Sequence, residues 1–312
     1  MKTKIVSIVG PTAAGKTALA VEIAEKLNTE IISCDSMQIY KYLDIGTAKP
    51  TVEEREKAKH HLIDFVDPRE TYSVASYVED AKNVLSCFGQ KGMIPVFCGG
   101  TGLYIDSLTK GTGFSEAGSD ESYREELKKI AEEKGNAYLF SLLQKIDPES
   151  AEKTHANNVK RVIRALEIYK LTGRTKSYWD ALSRTSDCPY DEIRILVDYK
   201  NREKLYGRID KRVQIMIDKG LVDEVRSLYG SGVLVKGTTA AQAIGYKELI
   251  EYLDGKVPFE TAVENVRQNT RNYAKRQLTW FRAQPGIVWL DGGADDLFTR
   301  AETAVSAWLS DK

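Results

Sequence analysis

The chain has 312 residues, of which 42% are hydrophobic and 29% charged, and its 45 Lys and Arg balance 45 Asp and Glu. This composition excludes a disordered chain. Because the chain has no overall basic charge, a nucleic acid would have to be bound by local clusters of basic residues. Four cysteines without a C-x-x-C pair, and only three histidines, exclude the usual zinc-site spacings. No signal peptide and no membrane-spanning stretch is visible, so we expect a soluble cytoplasmic protein.

Five short runs rich in β-branched residues predict strands, at 4–9, 30–34, 94–98, 193–197 and 287–290. The first two strands are separated by a helical pattern at 17–27, and another helical pattern at 72–89 precedes the third strand. Strands that alternate with helices predict a parallel sheet with helices on both faces. In such a sheet, ligands bind at the carboxyl ends of the strands.

The strand pattern disappears between residues 113 and 189, where only helical patterns occur. We therefore divide the chain into an α/β core, residues 1–112 and 190–312, and a helical insertion, residues 113–189. Within the last part of the core, further helices are predicted at 201–219, 221–229, 240–253 and 258–283.

The first strand runs into a glycine-rich loop, Gly10-Pro11-Thr12-Ala13-Ala14-Gly15-Lys16-Thr17. A G-x-x-x-x-G-K-T pattern between a strand and a helix is typical of a P-loop, whose backbone N–H groups surround phosphate oxygens. Lys16 adds a positive charge, the helix that begins near it adds its dipole, and Thr17 can hold Mg²⁺. The predicted fold class is therefore α/β, with a P-loop NTPase-like or kinase-like parallel sheet core and a helical insertion.

The acid that nucleotide-hydrolysing P-loop enzymes carry at a strand end is missing, because the strand at 94–98 runs into Gly99-Gly100-Thr101. Asp198 follows another strand, where an aspartate is more often a local cap. Asp35, at the end of the second strand, shares the sheet edge with the P-loop. A carboxylate beside a bound phosphate is suited to accept a proton from a nucleophile. The alternatives for Asp35 are an outer-shell Mg²⁺ ligand or a turn residue.

Seven segments, in one order between residues 5 and 282, resemble the tRNA dimethylallyltransferase (tRNA isopentenyltransferase) family of bacterial type. They read GPTAAGKTALA, ISCDSMQIYKYLDIGTAKP, HHLID, VFCGGTGLYI, RVIRALEIY, AIGYKEL and TRNYAKRQLTWFR. The resemblance implies that the P-loop holds dimethylallyl diphosphate, and that the dimethylallyl group is transferred to N6 of the adenosine 3′ of the tRNA anticodon, with release of diphosphate. It also implies that the insertion clasps the anticodon stem-loop.

The chemistry of this transfer gives the site residues their expected roles. Asp35 would accept the proton of the attacking amine, and the departing diphosphate would be bound most tightly in the transition state, with the help of Mg²⁺. The implied catalytic residues are Asp35, Thr12, Lys16 and Thr101. Arg208 and Arg212 are candidates for diphosphate contact, although a solvated helix face explains this pair equally well.

A target base in a structured RNA loop has to be flipped into the site, where Gln38 could pair with the adenine edge. Basic residues recur at helical spacing in two stretches, 160–164 and 267–282. The pattern alone favours a solvent-exposed helix face for each stretch, whereas the resemblance implies contact with tRNA phosphates. The predicted tRNA-binding residues are Asp35, Ser36, Met37, Gln38, Thr101, Arg124, Lys160, Arg161, Val162, Ile163, Arg164, Gln242, Gly245, Tyr246, Arg271 and Lys275.

Other functions remain open at this point. A small-molecule or nucleoside kinase would use the same fold with ATP in the P-loop and Asp35 as the base for a hydroxyl. A prenyltransferase that acts on free adenine nucleotides would share the chemistry without needing the basic insertion. A non-catalytic RNA-binding protein would use the P-loop as a switch. We also expect the protein to be monomeric.

Overall fold

The computed structural model describes residues 2–110, 118–185 and 188–311. The chain divides into two compact units, one formed by Met1–Ile105 with Tyr190–Lys312 and the other by Asp106–Pro189. The sequence-based division placed these boundaries after residues 112 and 189. Across the described ranges, no helix combines the length and the apolarity needed to cross a bilayer.

The first unit contains a six-stranded sheet in the order β3-β2-β4-β1-β5-β6, and every neighbouring pair of strands is parallel. The strands are β1 Thr3–Val9, β2 Ile31–Ser33, β3 His60–His61, β4 Val96–Gly99, β5 Tyr190–Asp198 and β6 Val288–Asp291. Residues 5–9 of the central strand β1 are all buried, as expected for a parallel strand covered on both faces. The predicted parallel sheet is confirmed, and β3 is an additional edge strand.

The helices are α1 Lys16–Lys26, α2 Val52–Lys57, α3 Val74–Lys91, α4 Gly102–Thr109, α5 Glu121–Lys134, α6 Asn136–Ile146, α7 Pro148–Glu152, α8 Val159–Thr172, α9 Lys176–Thr185, α10 Arg202–Asp218, α11 Leu221–Gly230, α12 Tyr246–Leu253, α13 Phe259–Arg282 and α14 Leu297–Ser310. The helix predicted over 240–253 is wrong in its first half. A short 3-10 turn covers Ala240–Gln242, and α12 begins only after Gly245, whose φ of 96° is incompatible with a right-handed helix.

Each unit has a hydrophobic core of its own. In the first unit, Leu19 of α1 and Val305 of α14 pack with Ile8 and Ile195 of the central strands. In the second unit, a separate cluster is formed by Leu127, Leu139, Leu143, Val162 and Leu166 of α5, α6 and α8. The apolar residues at helical spacing in the insertion therefore form its core, as the binary pattern predicts.

A cluster of charged residues ties together the start of β2, the edge strand β3 and the end of α3. The Glu30 carboxylate, 18% exposed, accepts from His61 and from Lys91 at 3.0 Å. Burial of this carboxyl acts to raise its pKa, but the hydrogen bonds from His61 and Lys91 outweigh burial and lower the pKa of Glu30 to about 2.

Glu30→Gln should therefore destabilise the fold in a pH-dependent manner. Because the folded pKa is lowered, the stabilisation is complete above the ordinary carboxyl pKa and is lost as pH falls towards 2. We expect Glu30→Gln to reduce the free energy of unfolding at pH 7 by about 1–2 kcal/mol, after allowing for solvent screening of the lysine. Urea unfolding at pH 7 and pH 3 measures this difference, and a difference that stayed constant between the two would contradict the argument.

Candidate active site at the carboxyl edge of the sheet

Three neighbouring strands end at the same edge of the sheet and place the predicted site residues together. The P-loop follows β1, Asp35 follows β2, and Thr101 follows β4. The loops after β2 and β4 are joined by backbone hydrogen bonds, from Cys34 N to the Cys98 carbonyl at 2.8 Å and from Thr101 N to the Cys34 carbonyl at 3.1 Å. Asp35 and Thr101 therefore lie next to each other, beside the P-loop.

The P-loop has the backbone that a phosphate cradle requires. Gly10 has a φ of 147°, and a Cβ at this position would lie 2.3 Å from the carbonyl oxygen of Val197, so a larger residue is excluded. Gly15 has a φ of 95° and immediately precedes α1. The N–H groups of residues 15–17 donate to no other described residue. They are therefore available to an anion at the positive end of the α1 dipole.

Lys16 and Arg212 form the electropositive part of this edge. Burial lowers the pKa of Lys16, the positive charge of Arg212 lowers it further, and Cys98 and Asp35 act in the opposite direction. Burial likewise lowers the pKa of Arg212, and Asp35 opposes the effect. The Lys16 ammonium donates to the Pro11 carbonyl at 2.7 Å. These mutual effects place both cations and the Asp35 carboxylate within one electrostatic neighbourhood.

Arg208 also reaches the P-loop. Its Nε donates to the Ala13 carbonyl at 2.9 Å, and its guanidinium lies 5.2 Å from the ring centroid of Tyr199. Ala13 has a φ of 62°, so its carbonyl is presented by a left-handed backbone conformation. The two arginines singled out in the sequence thus lie at the P-loop, and their contact with diphosphate stays a prediction.

One oxygen of Asp35 is used by its own loop. Oδ1 accepts from Met37 N at 2.9 Å and from Gln38 N at 3.4 Å, whereas Oδ2 receives no hydrogen bond from any described residue. Ser36 N donates to the Thr101 hydroxyl oxygen at 3.0 Å, which fixes the two loops against each other. Asp35 is therefore both a turn residue and a carboxylate with one oxygen left for a proton or a donor.

The acid at the end of β5 has a different environment. Both oxygens of Asp198 accept from Arg202, at 3.0 and 2.9 Å, and Asn201 is the residue whose side chain caps α10. The expectation that Asp198 is a local cap is therefore wrong. Because Arg202 neutralises it in a two-bond pair, Asp198 is not the free strand-end carboxylate of a nucleotide-hydrolysing enzyme.

The segment after Asp35, residues 36–50, is called the 36–50 loop below, and its own polar groups hold it in shape. Gln38 Nε2 donates to the carbonyls of Thr47 and Ala48, at 3.2 and 3.1 Å. Lys49 is buried and pairs with Asp44 at 2.6 Å and Asp64 at 2.7 Å. Both N–H bonds of the Gln38 amide are thus in use, and they would have to be released before the amide could pair with adenine.

Glu224 of α11 fixes the same loop from outside. Its carboxylate accepts the backbone N–H groups of Asp44, Ile45 and Gly46 and the hydroxyl of Tyr246. The Tyr246 ring is fully buried, and a Cβ on Gly46 would lie 2.4 Å from it. Among the other residues predicted to bind tRNA in this region, Gly245 is buried and Gln242 is exposed. Tyr246 therefore supports the loop and presents no surface to a ligand.

Helix α13 supplies two further residues to this edge of the sheet, Tyr273 and Gln277, and no sequence pattern indicated Gln277. The Gln277 side-chain amide bonds to the P-loop at Thr12 N and to the Gly100 carbonyl. Burial raises the pKa of Tyr273, as does the nearby Asp35 charge, and the polar side chains of Thr101 and Gln277 oppose this. Residues 273 and 277 are one helical turn apart and therefore lie on the same face of α13.

The basic face of α13 is partly neutralised by neighbouring acids. Arg271 makes three hydrogen bonds of 2.8–3.0 Å to the Asp210 carboxylate of α10, and it also pairs with Glu264. Lys275 is exposed, with its ammonium 5.8 Å from the ring centroid of Tyr206. A tRNA phosphate would therefore compete with Asp210 for Arg271, whereas Lys275 is open to solvent.

In the second unit, the predicted RNA-binding helix α8 has two faces. Lys160 and Arg161 are exposed, while Val162 and Ile163 are 0% and 5% exposed and belong to the core. The side chains of Val162 and Ile163 thus pack in the core and present little or no surface to a ligand. Of the residues named for tRNA contact here, Lys160 and Arg161 are exposed cations, and Arg124 and Arg164 are partly exposed, at 30% and 38%.

Arg124 and Arg164 share one fully buried carboxylate. Glu167 accepts from Arg124, from Arg164 at 2.6 Å and from the Asp120 backbone. Burial of the carboxyl acts to raise its pKa, but the hydrogen bonds from both arginines outweigh burial and lower the pKa of Glu167. Both arginines therefore have a structural function in this unit, whatever else they contact.

Glu167→Gln is expected to destabilise the second unit by about 1–3 kcal/mol, because two guanidinium groups, 30% and 38% exposed, would lose the charge of the acceptor that they share. Limited proteolysis and thermal unfolding of the full chain measure the effect. Glu149→Gln is the matched control, since Glu149 is 56% exposed and pairs with Lys153 within the same unit. An equal effect of the two substitutions would contradict the assigned role of Glu167.

Comparison with known proteins decides the family. The model of the IPP transferase family matches residues 38–284. The chain belongs to the IPP transferase family. It is 48% identical to a tRNA dimethylallyltransferase of Caldanaerobacter subterraneus subsp. tengcongensis, with 93% of this chain and 92% of the relative covered. A tRNA dimethylallyltransferase of Acetivibrio thermocellus is 50% identical, with 92% and 91% covered.

Solved structures of the IPP transferase family share the fold. The full-length tRNA isopentenylpyrophosphate transferase of Bacillus halodurans has a TM-score of 0.75 at 42% identity, with 99% of this chain and 98% of that chain covered. A eukaryotic dimethylallyltransferase acting on tRNA has a TM-score of 0.85 at 30% identity, with 99% and 80% covered. The P-loop NTPase-like fold, the family and the assignment as a transferase, all predicted from the sequence, are confirmed.

Proposed function

We propose that this transferase moves a dimethylallyl group from dimethylallyl diphosphate to the N6 amine of the adenosine 3′ of the anticodon in tRNA and releases diphosphate. The observation that carries the proposal is the position of Asp35, whose Oδ2 has no donor among the described residues, next to Thr101 on the sheet edge that also carries the P-loop. Relatives across nearly the whole chain length are named tRNA dimethylallyltransferases.

The diphosphate belongs in the P-loop. The N–H groups of residues 15–17 are available, and Lys16, Arg208 and Arg212 lie around them. When the allylic C–O bond breaks, negative charge grows on the leaving diphosphate oxygens. Donors that are already oriented towards those oxygens bind the transition state more tightly than the ground state, and this lowers the barrier.

The adenine amine belongs beside Asp35 and Thr101. An exocyclic amine is a weak nucleophile because its lone pair is delocalised into the ring, and its N–H becomes acidic as the new C–N bond forms. The Oδ2 atom of Asp35 accepts that proton, while Oδ1 keeps its bonds to Met37 and Gln38 and so holds the carboxylate in place. Thr101 fixes the neighbouring loop through Ser36.

A magnesium ion fits this site as a partner of the diphosphate. Among the described residues, no group of three or more His, Cys, Asp or Glu could hold a metal by itself. The Thr17 hydroxyl, at the start of α1, would hold Mg²⁺ together with diphosphate oxygens and water, the oxygen ligands that this ion prefers. Bound there, Mg²⁺ would neutralise charge on the leaving group.

The exposed cations of the second unit, Lys160 and Arg161, are proposed to bind phosphates of the anticodon stem-loop, as is Lys275 of α13. The protein would act as a monomer in the cytoplasm, where tRNA is available. Membership of the IPP transferase family does not favour the kinase alternative, and the two-bond neutralisation of Asp198 agrees with this.

The test incubates purified protein with Mg²⁺, labelled dimethylallyl diphosphate and an unmodified tRNA transcript, and counts label in the RNA. A transcript with guanosine in place of the adenosine 3′ of the anticodon is the matched control. Label in the first transcript and none in the second is the expected result. Absence of label in both, together with turnover of ATP, would overturn the proposal and favour the kinase.

A further inference from the structure

The side-chain amide of Gln277 joins two loops of the candidate active site. Its Oε1 accepts the N–H of Thr12 at 2.9 Å, and its Nε2 donates to the carbonyl of Gly100 at 3.0 Å. The pairing of β1 with β4 ends at Val9 and Gly99. The amide therefore connects the two loops just beyond the last backbone pair of the sheet.

The amide is held rigidly on both sides. Gln277 is 5% exposed, and Ala274, Leu278 and Phe281 on the same helix are buried, so α13 is anchored by packing. On the other side, a Cβ added to Gly100 would lie 2.0 Å from Nε2 of Gln277. The loop thus approaches the amide as closely as a residue without a side chain permits.

The two joined loops carry the two halves of the proposed reaction. The P-loop holds the leaving diphosphate, and the loop after β4 carries Thr101, which is bonded to Ser36 next to Asp35. In a displacement, the attacking nitrogen and the leaving oxygen lie in line on opposite sides of the allylic carbon. The spacing of the loops therefore sets the spacing of the reactants, and a misplacement of about 1 Å costs on the order of a hundredfold in rate.

The hydrogen bonds of Gln277 also show that an effect on the spacing of the loops can be distinguished from an effect on the binding of diphosphate. Gln277 occupies the N–H of Thr12, so this N–H is not offered to the diphosphate, while the N–H groups of residues 15–17 remain available. Loss of Gln277 removes none of those available donors. A defect in the spacing of the loops should consequently affect the chemical step more than it affects the binding of diphosphate.

We propose that Gln277 is a positioning residue that sets the distance between the diphosphate half and the acceptor half of the site. This inference rests on the proposed function, since it concerns the same reaction. The amide touches neither reacting group; it acts through the backbone of Thr12 and Gly100.

The test compares Gln277→Met, which keeps the length of the side chain and removes both hydrogen bonds, with Gln90→Met. Gln90 is exposed on α3 of the same unit and is the matched control. Two quantities are measured: the single-turnover rate constant of label transfer to tRNA, and the dissociation constant of inorganic diphosphate. We expect Gln277→Met to lower the rate constant by about 10–100-fold and to change the dissociation constant by less than about threefold.

A rate constant equal to that of Gln90→Met would overturn the inference, and so would a dissociation constant that rises by the factor by which the rate falls. If Gln277→Met shows no cooperative thermal unfolding, Gln277→Glu provides the same comparison, because it keeps the acceptor for Thr12 and loses the donor to Gly100. A wild type that binds diphosphate but transfers no label overturns the proposed function and this inference together. Transfer by the wild type with an unaffected Gln277→Met overturns the inference alone.

Discussion

Asp35→Asn is expected to lower the single-turnover rate of prenyl transfer by about a hundredfold to ten-thousandfold, the usual contribution of a general base. Asparagine keeps a carbonyl oxygen that can accept from Met37 and Gln38, so the turn after β2 should survive. The variant loses the charge and the ability to take the amine proton. Asp35→Asn therefore separates proton acceptance from the structural role of the same side chain.

Asp296→Asn is the matched control. Asp296 precedes α14, its side chain is 62% exposed, and among the described residues it pairs only with Arg300. Binding of tRNA is measured alongside by filter retention, and any change in Asp35→Asn should be far smaller than the change in rate. Full activity of Asp35→Asn, combined with loss of activity in Asp35→Ala, would show that Asp35 is a turn residue and not the base.

Lys16→Met should reduce kcat/KM for dimethylallyl diphosphate by about a hundredfold to a thousandfold, as expected when one preorganised donor to a developing anion is lost. The ammonium lies in a partly buried environment, where burial and Arg212 lower its pKa. A charge in such an environment interacts with diphosphate more strongly than an exposed charge does. The free enzyme already orients this group through its bond to the Pro11 carbonyl.

Lys26→Met, at the other end of α1, is the matched control, because Lys26 is 59% exposed and pairs with Glu302. Steady-state kinetics with varied dimethylallyl diphosphate, at fixed saturating tRNA, measures the effect. If Lys16→Met raised KM for tRNA and left kcat/KM for the diphosphate unchanged, the P-loop would not be the donor site.

The sequence predicted those parts of the site that are local in the chain. The strand, P-loop and first helix follow one another without interruption, and the carboxyl ends of parallel strands necessarily meet at one edge, so Asp35 and Thr101 could be placed beside the P-loop. The order of the strands in the sheet could not be read from these local patterns, since β1 pairs with β4 and β5 and not with β2.

The parts that were missed depend on contacts between distant segments. Gln277 lies 265 residues from Thr12, and a glutamine within a basic helical stretch gives no local sign of such a partner. The same holds for Glu224, whose three backbone donors lie in a loop far from it in the chain. Tertiary hydrogen bonds of this kind leave no periodicity that a sequence pattern could reveal.

The predicted start of a helix was wrong where the backbone conformation of a single residue overrides the helical propensity of its neighbours. The predicted helix over 240–253 contains Gly245, whose positive φ delays α12 to Tyr246. The edge strand β3 has only two residues, too few for an alternating pattern to be recognised.

The 36–50 loop has a consequence for how an RNA would be selected. Glu224 and Lys49 restrain the backbone of this loop before any ligand is bound. Little conformational entropy is then left for the protein to lose on association, and the rearrangement falls on the nucleic acid, which must unstack its base. A rigid loop of this kind would distinguish between bases by how well their shapes fit it. Under the proposed function, a base of the wrong shape would be rejected because the restrained backbone of the loop does not follow it, and a substrate that is easily unstacked would gain an advantage before any hydrogen bond to the base is formed.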